Sequence, residues 1–186
     1  MVEDRTRKIV ITGVLSALSI FLGMTRLGFI PWITGASLTI MHIPVIIGAV
    51  LEGPVVGVAI GFIFGLFSLI QAAVAPTGPA DVWFTNPLLS ILPRLFIGPI
   101  SWLVYVSLKH WKIPALISAG VLGSLTNTVL VLGMIGVLGY LPWVALPPLV
   151  LGNGLPESIA SAILVVSVVS IWQQIARGGQ KEGSAL

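Results

Sequence analysis

Charge is what this sequence most lacks. Only 8% of its 186 residues are Asp, Glu, Lys or Arg, against roughly a quarter in a soluble domain. That is too little to cover an aqueous surface of this size. With 56% of the residues hydrophobic, lipid must solvate most of the chain. Cysteine is absent, which excludes a disulfide framework and any thiolate metal site. Also missing are a Gly-rich phosphate loop ending in Lys-Ser or Lys-Thr, an H-E-x-x-H helix and a nucleophile elbow, so the chain does not hydrolyse ATP by itself. The net charge of +3 is modest and gathers at the ends of apolar runs, where it orients a membrane protein rather than binding nucleic acid.

What remains is a series of apolar runs. A helix needs roughly 20 residues to cross the hydrocarbon, and helices satisfy their own backbone groups there, so an all-α integral membrane protein is expected. We read one transmembrane domain, 1–186, with spans near 9–25, 38–51, 55–75, 88–108, 115–138 and 156–175 and a charged tail, 176–186. The first span follows Arg5, Arg7 and Lys8 like a signal peptide, but no cleavage site with a polar mature domain follows, so it is read as retained. The second run is short, roughly 20 Å at the helical rise. Gly57, Gly61 and Gly65 recur on one face of the third run, which permits close helix packing. Pro93 and Pro99 are expected to kink the fourth. Pro156 is expected to open the sixth. Alternating the loops from an internal amino terminus puts Arg5, Arg7, Lys8, Lys109, Lys112, Arg177 and Lys181 on the cytoplasmic side and only Arg26 in an opposite-side loop. That is the asymmetry of the positive-inside rule.

Few polar groups lie within or beside these spans: His42, Glu52, Gln71, Asn86, Arg94, Asn127, Asn153 and Glu157. An ionisable group at membrane depth is expensive and points to function. Arg94 sits about two turns inside the fourth span, and its planar fork suits a carboxylate; it either meets a ligand or pairs with Glu157. Glu157 is also expected to favour the positive end of a helix dipole, one residue after Pro156, and Asn153 either caps that helix or donates to a ligand. Asn127 either bonds across helices or meets ligand. His42, with no carboxylate or cysteine nearby in the sequence, is a poor metal site; no metal site is expected. Glu52 reads as a solvated turn residue, and Trp32 as a boundary anchor or a ligand contact. Ion-coupled carriers usually place acidic residues in their spans, and Glu157 alone qualifies, so partner subunits become the expected energy source.

The run Leu38-Thr39-Ile40-Met41-His42-Ile43-Pro44-Val45-Ile46-Ile47-Gly48-Ala49, then Glu52-Gly53-Pro54-Val55-Val56-Gly57, Gly61-Phe62-Ile63-Phe64-Gly65-Leu66 and Asn86-Pro87-Leu88-Leu89-Ser90-Ile91-Leu92-Pro93-Arg94 resemble the substrate-capture S components of energy-coupling factor transporters, in their riboflavin- and pantothenate-type branch. The resemblance covers nearly the whole chain. It implies a six-helix bundle that is not an enzyme and has no cofactor of its own. It implies partners as well: a transmembrane coupling subunit and two cytoplasmic ATPases that use ATP. It also implies an external pocket, for which Arg94, Asn86, Asn127, Asn153 and Glu157 are the candidates, with Trp32 and His42 behind them. A family A-x-x-x-A docking face is matched here by Gly13 and Ala17, with Gly in place of the first Ala; small residues at i and i+4 let another helix approach. A lone deep Arg suits an acidic vitamin, so pantothenate is preferred to riboflavin or cobalamin. A self-sufficient small carrier and a lipid-modifying membrane enzyme are the alternatives.

Overall fold

The protein is described by a computed structural model covering residues 2–25, 27–31, 37–76 and 78–183. Helix α1 (Val2–Met24) leads into a short antiparallel hairpin, β1 (Phe29–Pro31) with β2 (Ser37–Thr39). Helices α2 (Ile43–Glu52) and α3 (Pro54–Val74) follow, then a 3-10 segment (Pro79–Thr85), α4 (Pro87–Ser90), α5 (Leu92–Ser107), α6 (Lys112–Val137), a second 3-10 turn (Trp143–Ala145) and α7 (Leu146–Gly183).

Five stretches among the described residues are long and apolar enough to cross a membrane: Asp4–Met24, Pro54–Val74, Pro87–Ser107, Lys112–Val137 and Trp143–Ile175. The expected second span is different. Helix α2 has 10 residues, about 15 Å, half of a hydrocarbon core of about 30 Å. It starts behind a non-helical segment and ends at Gly53, whose φ of 101° is open to glycine and costly for other residues; Pro54 then starts α3. Every residue from Met41 to Val50 is buried, so protein rather than lipid solvates this short helix. The apolar cluster around it joins Val45, Ile46 and Ile47 to Ile60, Ile97, Leu116 and Val165. In contrast, Val55, Val74 and Val137 are at least 70% exposed, as a lipid-facing exterior requires.

One boundary departs from expectation, and the break expected in the fourth span is present. The sixth helix does not open at Pro156. It starts at Leu146, carries Pro147 and Pro148 in its first turn, where their missing N–H groups cost nothing, and continues through Pro156 to Gly183. Proline is tolerated inside a membrane helix when neighbours satisfy the freed backbone. The charged tail from 176 is thus largely a continuation of α7. The fourth span is interrupted at Ile91, between α4 and α5. Pro93 cannot donate to the carbonyl four residues back, which is that of Leu89.

The glycine stripe on α3 is used as expected. A Cβ on Gly57 would lie 2.7 Å from the Cα of Gly98, one on Gly65 2.7 Å from the Ser90 carbonyl, and one on Gly61 would strike the carbonyl of Arg94. The backbones of α3 and α5 therefore touch. This contact sets Arg94 against α3.

Candidate functional site

Pro93 and the glycine stripe together place Arg94. Its Nη1 donates to the Leu89 carbonyl at 2.6 Å, the acceptor that Pro93 leaves free. The guanidinium carbon stands 5.4 Å from the Phe64 ring centre and 5.2 Å from that of Phe84, within cation–π range. The side chain is 5% exposed, and Nε is buried with no hydrogen-bond partner. A cation this deep is costly unless something answers it.

Beside Arg94 is a cavity of about 90 Å³. Its polar walls are Thr39, Ser68, Gln71 and Asp81, and its apolar walls are Met41, Phe64, Ala72 and Phe84. Sites for small molecules usually enclose at least about 300 Å³, so a vitamin-sized ligand must protrude from this cavity or push its walls apart. The rim is built for that: Thr39 belongs to the hairpin, and Asp81 and Phe84 to the 3-10 segment.

Glu157 takes a different position from the expected one. It lies about three turns inside α7, so the helix-dipole explanation fails, as does the capping role for Asn153. Both failed because Pro156 does not begin the helix. The carboxylate ties three elements together. Oε1 accepts from the Thr39 amide at 2.6 Å and from the Thr39 hydroxyl at 3.3 Å, and Oε2 accepts from Thr128 on α6 at 2.9 Å. Arg94 spends its bond on a backbone carbonyl instead, so there is no direct pair between the two charges, and Glu157 reaches the cavity only through Thr39.

The other candidates scatter. Asn127 is buried on α6 with Oδ1 unpartnered, and Asn153 is buried on α7 and hydrogen-bonded or otherwise engaged. Neither lines the Arg94 cavity. Asn86 caps α4, its Oδ1 accepting from the Leu88 amide at 3.0 Å. His42 is fully buried, with Nε2 3.0 Å from Ser161 Oγ, a link between α2 and α7. Trp32 lies outside the described residues, as does Arg26. Glu52 is not a solvated turn residue: its side chain is 6% exposed and meets Arg7 at 2.7 Å, joining the ends of α2 and α1. Gly13 and Ala17 are both exposed, and nothing lies within 4 Å of a Cβ built on Gly13. Among the described residues no cluster of His, Asp or Glu is placed to hold a metal ion.

Sequence reasoning did not assign Phe64, Ser68, Asp81, Thr39 or Thr128 to a site, and it named Gln71 without giving it a role. Phe64, Ser68, Gln71 and Ala72 carried a readable signal, since positions spaced by three and four share one helix face.

The chain matches the family described as ECF transporter, substrate-specific component, over residues 7–170. It belongs to that family. It is 30% identical over 150 residues to the pantothenic acid transporter PanT of Lactococcus lactis subsp. cremoris, a match covering 70% of this chain and 75% of that one. It is 35% identical over 104 residues to the pantothenate transporter PanT of Leuconostoc mesenteroides, covering 54% of this chain and 51% of that one. This ECF substrate-specific component is therefore a multi-pass membrane protein and part of a transporter, not an enzyme.

Proposed function

We propose that the chain captures pantothenate from outside the cell and hands it to an energy-coupling factor importer, with Arg94 holding the vitamin's carboxylate. The observation that carries this reading is the position of Arg94: a permanent cation with an unpartnered Nε, at the wall of a cavity whose other polar groups are uncharged apart from Asp81. An anion recovers the cost of burying that cation. Pantothenate, the cargo in the names of both relatives, is a linear carboxylate with an amide and two hydroxyls, which suits the mixed lining. Glu157 holds Thr39, which lines the cavity, whereas Asn127 and Asn153 lie outside it.

The five long helices and the buried α2 form a six-segment bundle with both termini in the cytoplasm, an orientation supported by the basic residues at that end. ATP is used by two cytoplasmic ATPases, reached through a transmembrane coupling subunit that docks on the Gly13–Ala17 face. The small exposed residues of that face support the docking.

The test titrates pantothenate and its carboxylate-free analogue, pantothenyl alcohol, into the purified chain in lipid nanodiscs. A hydrogen bond to a charged group contributes on the order of 1.5 to 3 kcal/mol, and about 1.4 kcal/mol is tenfold in affinity. The alcohol should bind roughly one to two orders of magnitude more weakly, and Arg94→Lys should lose a similar factor for pantothenate, because an ammonium lacks the planar fork. If folded Arg94→Ala binds both compounds as the unaltered protein does, Arg94 is not the carboxylate partner. Purification from the native membrane should recover the ATPase subunits; their consistent absence with uptake retained would refute the partner assignment.

A further inference from the structure

We infer that the face of α3 formed by Ser68 and Gln71 reads the hydroxyl end of the ligand, with the molecule lying along α3 from Arg94 toward Gln71. This rests on the pantothenate reading above. The wall that α3 contributes to the cavity consists of Phe64, Ser68, Gln71 and Ala72, four positions on one helix face. Phe64 sits over the Arg94 guanidinium, so a carboxylate held by Arg94 starts at that level. Gln71 is seven residues further along, about 10 Å by the helical rise. An extended pantothenate has the backbone length of about three residues, also about 10 Å. Its hydroxyls then fall beside Ser68 and Gln71, and its two methyl groups, which stand between the hydroxyl-bearing carbons, beside Ala72.

Two observations favour this assignment over a purely structural role. Ser68, Gln71 and Arg94 all line the one cavity, so a single molecule held at Arg94 can also reach the two α3 side chains. Gln71 donates from Nε2 to the Gly23 carbonyl of α1 over a long 3.4 Å; a carboxamide has two donor hydrogens and an acceptor oxygen, so capacity is left for a ligand.

The test measures affinity in nanodiscs for pantothenate, for an analogue lacking both hydroxyls and for pantothenyl alcohol, using the unaltered chain, Gln71→Leu and Ser68→Ala. One neutral hydrogen bond corresponds to about five- to tenfold in affinity. Gln71→Leu should weaken pantothenate by that factor and leave the dehydroxylated analogue unchanged, so that selectivity between the two collapses; Ser68→Ala should do the same to a smaller extent. The preference for pantothenate over its alcohol, set at Arg94, should survive in both. Equal weakening of all three compounds would mean that Gln71 only ties α3 to α1, and unchanged affinities in both variants would mean that the ligand lies elsewhere; either result overturns the inference while the pantothenate reading stands. Should Gln71→Leu fail to fold, Ser68→Ala and Gln71→Met decide by the same criterion. Failure of the unaltered chain to bind pantothenate at all overturns the substrate reading and this inference with it.

Discussion

Replacing Glu157 should release the hairpin, and hydrogen exchange at Thr39 measures the release directly. The Thr39 amide donates to Glu157 Oε1 at 2.6 Å and the Thr128 hydroxyl to Oε2 at 2.9 Å. Both are bonds to a carboxylate, contributing about 1.5 to 3 kcal/mol when the acceptor is charged and about 0.5 to 1.5 kcal/mol when it is neutral. Glu157→Gln keeps an acceptor oxygen and loses the charge, so local opening at Thr39 should become easier by about 1 kcal/mol, close to a fivefold rise in exchange rate. Glu157→Ala removes the acceptor altogether, and the rise should be roughly tenfold to a hundredfold. The assay is hydrogen–deuterium exchange with mass spectrometry on peptides covering 37–41, in nanodiscs, with peptides from α6 as an internal control. Thr128→Val should leave Thr39 exchange nearly unaltered, because Thr128 uses the other carboxylate oxygen. If exchange over 37–41 in folded Glu157→Ala stays within about twofold of the unaltered chain, Thr39 is protected by its pairing with Phe29 in the hairpin and the carboxylate is not the tether.

Gly61→Leu drives a side chain into the Arg94 carbonyl and should cost at least about 1 to 3 kcal/mol by overpacking, seen as a lower melting temperature; a variant as stable as the unaltered chain would refute the close contact of α3 with α5. Gly13→Leu meets open space and should leave stability and ligand affinity intact while abolishing uptake in the assembled transporter, and Ala17→Leu should do likewise. Loss of affinity in parallel with uptake would place that face in the binding region instead. Trp83 and Tyr140 stack with ring centres 5.5 Å apart and planes 3° apart, so the coupling between their alanine substitutions should be about 0.5 to 1.5 kcal/mol. A thermal-melt double-mutant cycle showing fully additive losses would mean that the rings do not interact.

The sequence alone determined the environment and the family, because both depend on local composition. Runs such as 55–75 and 115–138 are too apolar for water and long enough for a bilayer, and they coincide with α3 and α6 within a few residues. The spacing of Gly57, Gly61 and Gly65 announced a close helix contact, and the depth of Arg94 in its span announced a buried cation. The tertiary structure decided what each of these meets. The run 38–51 was legible as too short to span alone, needing either extension by the preceding loop or shielding by neighbours, and only the packing decided for shielding. Pro156 carries the local signature of a helix start, and only packing allowed α7 to run through it; that error carried Glu157 and Asn153 into roles at a helix end that they do not occupy. Glu157 and Thr39 are 118 residues apart in the chain, and hydrogen bonds over such a separation leave no trace in spacing or periodicity. The same holds for the cavity: Arg94 was legible because a buried charge is costly wherever it lies, whereas Ser68 and Gln71 became part of a site only when the glycine contacts brought α5 against α3.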